Sequence, residues 1–219
     1  MTRIIAGKAG GRRLAVPAGQ GTRPTSDRAR EGLFGTLLSE MGPLTGKKVL
    51  DLYAGSGAVG LEALSRGAGS VLLVEADARA AAVIKANIKT VDLPGARVVT
   101  GKAERLLDRP PSSGGGGRDG ASGTRDSDLG SRDSARDADG YDIVFADPPY
   151  AVTGAEIAKV LLQLTKGWLS ETALVVVERA TRDGEFDWPP GYAPGKSRRY
   201  GEATFWYGWH GLPASENEE

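Results

Sequence analysis

Asp147-Pro148-Pro149-Tyr150 is the run of this sequence best suited to chemistry. Two prolines fix their own φ angles and restrict the residue before each, so the run is a stiff loop. A carboxylate and a backbone carbonyl held in such a loop are acceptors for the two hydrogens of an –NH2 group. Accepting both draws the nitrogen lone pair out of conjugation and aims it at an electrophile. The Tyr150 ring would stack on the base that carries the amine. Such chemistry is group transfer to nitrogen, governed mainly by positioning. A base inside a duplex would have to be unpaired or flipped out to reach the loop.

A second cluster lies upstream. Asp51-Leu52-Tyr53-Ala54-Gly55-Ser56-Gly57-Ala58-Val59-Gly60 joins an apolar run to a helical one through glycines. Glycine lets the backbone approach a ligand that any Cβ would hold away. Glu75 ends the next apolar run, and a carboxylate there can accept from both hydroxyls of a ribose. Residues 55–60 also spell G-x-G-x-x-G, the dinucleotide fingerprint, so a nicotinamide dehydrogenase is a rival reading. Asp51 argues against it. A negative charge at the strand end suits a cation, such as the sulfonium and amino group of S-adenosylmethionine, and suits a pyrophosphate poorly. The stiff loop also has no place in hydride transfer.

These residues need a frame, and the apolar pattern supplies one. Strands are expected at 48–52, 70–75, 97–100, 141–146 and 173–178. Helices are expected at 58–66, 77–89 and 153–165. Continuous apolar strands separated by helices indicate an α/β fold with a parallel sheet covered on both faces. Residues 197–200 and 204–209 read as a closing antiparallel pair. Ahead of the sheet, Ile4-Ile5-Ala6 and Leu14-Ala15-Val16 flank Gly10-Gly11 as a β-hairpin. Thr25-Ser26-Asp27 can cap a helix carrying Leu33, Phe34, Leu37 and Leu38, ending near Gly42-Pro43. Residues 111–140 are Pro, Gly, Ser, Asp and Arg with Leu129 as the only large aliphatic. They read as a flexible low-complexity insertion. The expected organisation is a basic hairpin extension over 1–24 and a catalytic domain over 25–219.

Charge is balanced overall, 28 basic against 28 acidic residues, but residues 1–30 hold seven basic residues and only Asp27 as an acid. Arg3, Lys8, Arg12, Arg13, Arg23 and Arg28 are the expected phosphate contacts, which set affinity more than base choice. There is no cysteine and a single histidine, His210. Disulfides and thiolate sites are excluded, no metal is expected, and a reducing cytoplasm is the expected location. No apolar run suits a membrane helix and no signal h-region is evident, so no membrane partner is expected.

Asp/Asn-Pro-Pro-Tyr/Phe is the amine-methylating signature of class I methyltransferases. The chain as a whole resembles the bacterial small-subunit (16S) ribosomal RNA guanine-N2 methyltransferase D family. The resemblance rests on Arg3-Ile4-Ile5-Ala6-Gly7, Gly11-Arg12-Arg13-Leu14, Thr22-Arg23-Pro24-Thr25-Ser26-Asp27-Arg28, the glycine turn from Asp51, the Asp147 loop, and Tyr200-Gly201 followed by Thr204. It implies a Rossmann-like seven-stranded sheet with a hairpin extension. It also implies S-adenosylmethionine as cofactor and one guanine of small-subunit ribosomal RNA as target, within an assembling or assembled 30S particle. Asp147, Pro148 and Tyr150 carry over to catalysis. Asp51, Tyr53, Gly55, Gly57, Glu75 and Ala76 carry over to the cofactor. Methyltransferases often carry an acidic or amide residue after the third strand that bonds the cofactor's adenine amine. Lys102 stands there, and backbone at Lys102 or Ala103, or the Glu104 side chain, could serve instead. The same loop on an adenine or a protein amide is the alternative activity, and a non-catalytic RNA-binding protein is a further one.

Overall fold

The computed structural model describes residues 2–17, 26–108 and 140–211. Two short strands, β1 (Thr2–Arg3) and β2 (Arg13–Leu14), pair antiparallel. Helix α1 spans Asp27–Met41. Then come β3 (Lys48–Leu52), α2 (Ala58–Ser65), β4 (Ser70–Glu75), α3 (Ala78–Val91), β5 (Ala96–Thr100) and α4 (Ala103–Leu107). After the insertion follow β6 (Tyr141–Ala146), α5 (Gly154–Leu164), β7 (Leu169–Ala180), β8 (Tyr192–Tyr200) and β9 (Ala203–His210). The insertion expected at 111–140 lies outside the described residues as far as 139.

Seven strands form one sheet in the order β5-β4-β3-β6-β7-β9-β8. Strands β3 to β7 pair in parallel, and β9 pairs antiparallel with both β7 and β8. The chain steps outward from β3 to β5, then returns to lay β6 on the other side of β3. Strand order therefore reverses between β3 and β6, and in such sheets the crevice at that point takes the ligand.

Alternate residues of each strand feed two separate cores. Val49, Val71, Leu73, Ile143 and Val176 pack with α1 and α2. Leu50, Leu52, Leu72, Val144 and Val175 pack with α4 and α5. Both faces are thus buried, which is why the strands read as unbroken apolar runs. Helices α1, α3 and α5 are capped by polar side chains. Ser26 accepts from the backbone N–H of Ala29, Asp77 from Arg79 and Ala80, and Thr153 with Glu156 forms a reciprocal capping box.

The hairpin differs from the sequence expectation. Its ladder is confined to Thr2–Arg3 against Arg13–Leu14 because Ile5 and Ala6 donate their N–H groups to the Glu62 carboxylate of α2 instead (2.7 and 3.0 Å). Gly7 passes so close to α2 that a Cβ would lie 1.9 Å from the Ser65 carbonyl oxygen. Ile4, Ala9 and Leu14 join the core above α1 and α2. Strand β7 is also longer than its apolar run. Pairing with β9 from Ala173↔His210 to Ala180↔Ala203 extends it past Val177. Pro194 in β8 is tolerated because that strand is the sheet edge.

Candidate active site

The glycine turn after β3 and the proline loop after β6 emerge side by side at the switch point. Leu52 and Ala146 are register partners, and the Asp147 N–H faces the Leu52 carbonyl at 3.5 Å. Between the turn and the loop opens a crevice of about 460 Å³, within the usual range for a small-molecule site. Asp51, Tyr53, Gly55, Glu75 and Ala76 line one part of it, and Asp147, Pro148 and Tyr150 the other.

Asp51 is buried, and one of its oxygens accepts from the Gly60 N–H at 2.9 Å. It therefore serves the start of α2 as well as the crevice. Burial pushes its carboxyl up to about 7, and the nearby charges of Asp147 and Glu75 add to the rise against the Gly60 hydrogen bond. Gly57 adopts φ 76° to turn the chain into α2. It shapes the turn without lining the crevice.

Glu75 holds its place through backbone donors on both oxygens. It accepts from Gly55 at 2.8 Å and from Asp77 at 2.8 Å. Each carboxylate oxygen has a second lone pair, so the same group can brace the glycine turn and accept from a ligand hydroxyl.

The proline loop is closed by the Val152 N–H on the Pro149 carbonyl (2.8 Å). Its far end is pinned by Arg179, which donates to the Val152 carbonyl (3.1 Å) and pairs with Asp183 (2.8 Å). Pro148 is buried and Tyr150 is 57% exposed, its ring 5.7 Å from the Arg182 guanidinium. Burial lifts the Asp147 carboxyl to about 7, and the charge of Arg179 works against that rise. Two carboxyls that resist ionisation thus face one crevice, an arrangement that favours a cationic ligand.

The residues after β5 sit differently. Lys102 is exposed at the start of α4, Ala103 is buried, and none of Lys102, Ala103 or Glu104 lines the crevice. Glu104 instead accepts from the Tyr53 hydroxyl at 3.1 Å, which carries that segment to the edge of the site.

The basic run divides. Arg3 pairs with Asp27 (3.3 Å), and Arg12 donates to the Thr90 and Val91 carbonyls at the end of α3. Lys8, Arg13 and Arg28 are exposed. Arg23 lies outside the described residues. Arg30 is no surface charge: it is buried, donates to the Arg3 carbonyl at 2.6 Å, and lines the crevice.

Several crevice residues carried no signal of their own in the sequence. Val16 and Pro17, just after the hairpin, form a wall, and Glu178 of β7 stands beside the proline loop. The wall is held by Asn87 of α3, a buried amide. It accepts from the Ala15 N–H (2.8 Å) and donates to the carbonyls of Ala15 and Ser56 (2.9 Å each). Among the described residues no group of three or more Asp, Glu or His side chains is placed to hold a metal ion.

The family model described as "Conserved hypothetical protein 95" matches residues 2–115 and 121–209. Ribosomal RNA small subunit methyltransferase D of Escherichia coli is 35% identical over 182 residues, spanning 83% of this chain and 76% of that protein. The chain belongs to this methyltransferase family. Among methyltransferase D relatives, that of Haemophilus influenzae is 34% identical over 178 residues, 80% of this chain and 77% of that protein. The solved structure of yhhF from Escherichia coli matches with a TM-score of 0.73 at 28% identity, covering 97% of this chain and 99% of that one. The overall fold described above is therefore shared with that solved structure.

Proposed function

We propose that this protein transfers a methyl group from S-adenosylmethionine to the exocyclic N2 of one guanine in small-subunit ribosomal RNA. The observation that carries this reading is the convergence of the glycine turn, Asp51, Glu75 and the Asp147 loop on one crevice at the switch point. The relatives named ribosomal RNA small subunit methyltransferase D support the substrate. An assembling or assembled 30S particle is the proposed context.

The crevice fits the cofactor chemically. Its carboxyls are short of a cation, and Glu75 has lone pairs available for a ribose. S-adenosylmethionine supplies an electrophilic methyl group on a sulfonium. Asp51 would sit by the cofactor's positive charge, which favours its ionised form. Tyr53, next to the crevice and tied to Glu104, would mark the adenine end. Asp147 would accept one hydrogen of the guanine amine at its carboxylate, and the Pro148 carbonyl the other. A carboxyl poised near 7 can also take the proton that the nitrogen must lose once methylated. Tyr150, exposed beside the loop, offers a face for stacking the base. Lys8, Arg13 and Arg28 remain on the surface for phosphates, whereas Arg3 and Arg12 already serve the fold.

Asp147→Ala should lower methyl transfer by roughly a thousandfold while cofactor affinity falls by far less, about tenfold at most, since orientation of the amine is the main thing removed. Undiminished turnover in that variant would refute the mechanism. Mapping methylated nucleotides in 16S ribosomal RNA from cells with and without the protein identifies the guanine. Loss of no N2-methylguanine in the deletion strain would refute the substrate.

A further inference from the structure

The crevice beside the glycine turn does not end at Tyr150. A second cavity of about 510 Å³ opens beside that ring, and Tyr150 and Glu178 line both. Arg28 from the first turn of α1 walls it on one side, and the β8–β9 turn from Arg199 to Glu202 on the other. In-line displacement brings the nucleophile to the methyl carbon opposite the leaving sulfur. With the donor in the first cavity, the amine-bearing base must come in from the second. The second cavity is large enough for a nucleotide, and its arginines supply donors for phosphate.

Glu178 stands at the junction. Ala146 and Val177 are the last register partners of β6 and β7, Asp147 and Glu178 follow them in the chain, and both line the first cavity. The charges of both carboxyls reach Tyr150. Two carboxyls thus line the junction where the base's edge must enter.

Guanine presents two kinds of donor side by side on its Watson–Crick edge, the N1–H and the N2 amine. Adenine places a bare N1 lone pair beside its N6 amine. A second carboxylate next to the amine acceptor therefore attracts guanine and repels adenine. Building on the guanine-N2 reading above, we infer that Glu178 accepts the N1–H of the entering guanine while Asp147 accepts from its N2 amine. Glu178 is thereby the residue that selects guanine, a choice the proline loop does not make.

The test uses the wild-type enzyme and Glu178→Gln, a replacement of equal size, on 16S ribosomal RNA supplied free and as assembled 30S subunits. The RNA carries either the mapped guanine or 2-aminopurine at that position. 2-Aminopurine keeps the 2-amino group but has a bare lone pair at N1. Wild type should use it at least about 30-fold less well by kcat/KM, the effect of replacing a charged hydrogen bond by repulsion. Glu178→Gln should lose about tenfold or more on guanine, yet its amide N–H can donate to the bare N1. Its preference for guanine over 2-aminopurine should therefore fall at least tenfold, with cofactor affinity within threefold of wild type. An identical preference in both enzymes overturns the assignment of Glu178. Mass spectrometry of the wild-type product separates the two failures, because absence of N2-methylguanine removes the underlying reading as well.

Discussion

Arg30 and Glu62 are buried as completely as Asp51, yet the two groups of charges meet their burial in opposite ways. Beneath the hairpin, both oxygens of Glu62 accept hydrogen bonds. It takes the N–H groups of Ile5 and Ala6, pairs with Arg66 at 2.7 Å, and faces Arg30 at 3.9 Å. Positive charge is matched to negative inside the protein, even though burial still lowers the Arg30 pKa. At the crevice, burial pushes the carboxyls of Asp51 and Asp147 up to about 7, and the charge of Asp147 adds to the rise at Asp51. The first group holds the hairpin to α2 through hydrogen bonds and ion pairs made within the protein. The second leaves Asp51 buried beside negative charge that a cationic ligand would offset, and a carboxyl perturbed in this way marks a candidate ligand site.

Breaking the Glu62 group should have the largest effect on stability. Glu62→Ala leaves Arg30 without its main countercharge and strips two backbone donors of their acceptor. A loss of about 3–5 kcal/mol is expected, roughly 10 °C in thermal midpoint. A shift of under 2 °C would show that the network contributes little.

Relieving the crevice group should act the other way. Asp51→Asn keeps an oxygen for the Gly60 N–H but removes the charge that burial disfavours. The ligand-free variant should be more stable than wild type by about 1–3 kcal/mol at pH 8. The sign follows from linkage. A carboxyl whose folded pKa is raised binds more protons folded than unfolded, so wild type loses stability as pH rises from about 4 to about 7. The advantage of the variant should grow across that window and level off above it. Cofactor affinity, measured by calorimetry, should fall at least tenfold. Equal stability at pH 5 and pH 8 would contradict the shared origin of the two effects.

Arg12 gives the smallest effect and sharpens the boundary between the groups. Its guanidinium serves the carbonyl end of α3, so Arg12→Ala should cost about 1 kcal/mol. The salt dependence of RNA binding should stay the same. A slope reduced by about one would place Arg12 on a phosphate instead.

The sheet was legible in the sequence because strands buried on both faces are apolar throughout, and each strand from β3 to β7 contains its expected apolar run. Asp51, Glu75 and Asp147 were legible because each ends such a run at the same sheet edge. What remained hidden depends on partners distant in sequence. The type of Arg30 does not reveal that Glu62 buries it. The length of the hairpin ladder is set by Glu62 drawing away the Ile5 and Ala6 donors. Lys102, Ala103 and Glu104 stand at the expected place in the chain, but Lys102 is exposed, Ala103 packs in the core, and only Glu104 reaches toward the site, through Tyr53. Glu178 follows an apolar strand like many carboxylates, and only the register with β6 brings it to the same cavity as Asp147.

Asn87 carries a consequence for motion. Its side-chain amide has two hydrogens, and both are committed: one to a carbonyl of the chain leaving the hairpin, one to a carbonyl of the glycine turn. Aspartate there would have no hydrogen to give either, so nitrogen at this position is required by proton count rather than by shape. The segment that follows the hairpin and the turn that faces the cofactor share a single hinge pin. Neither can shift by more than a hydrogen-bond length unless the other shifts with it or one of the two hydrogen bonds is given up.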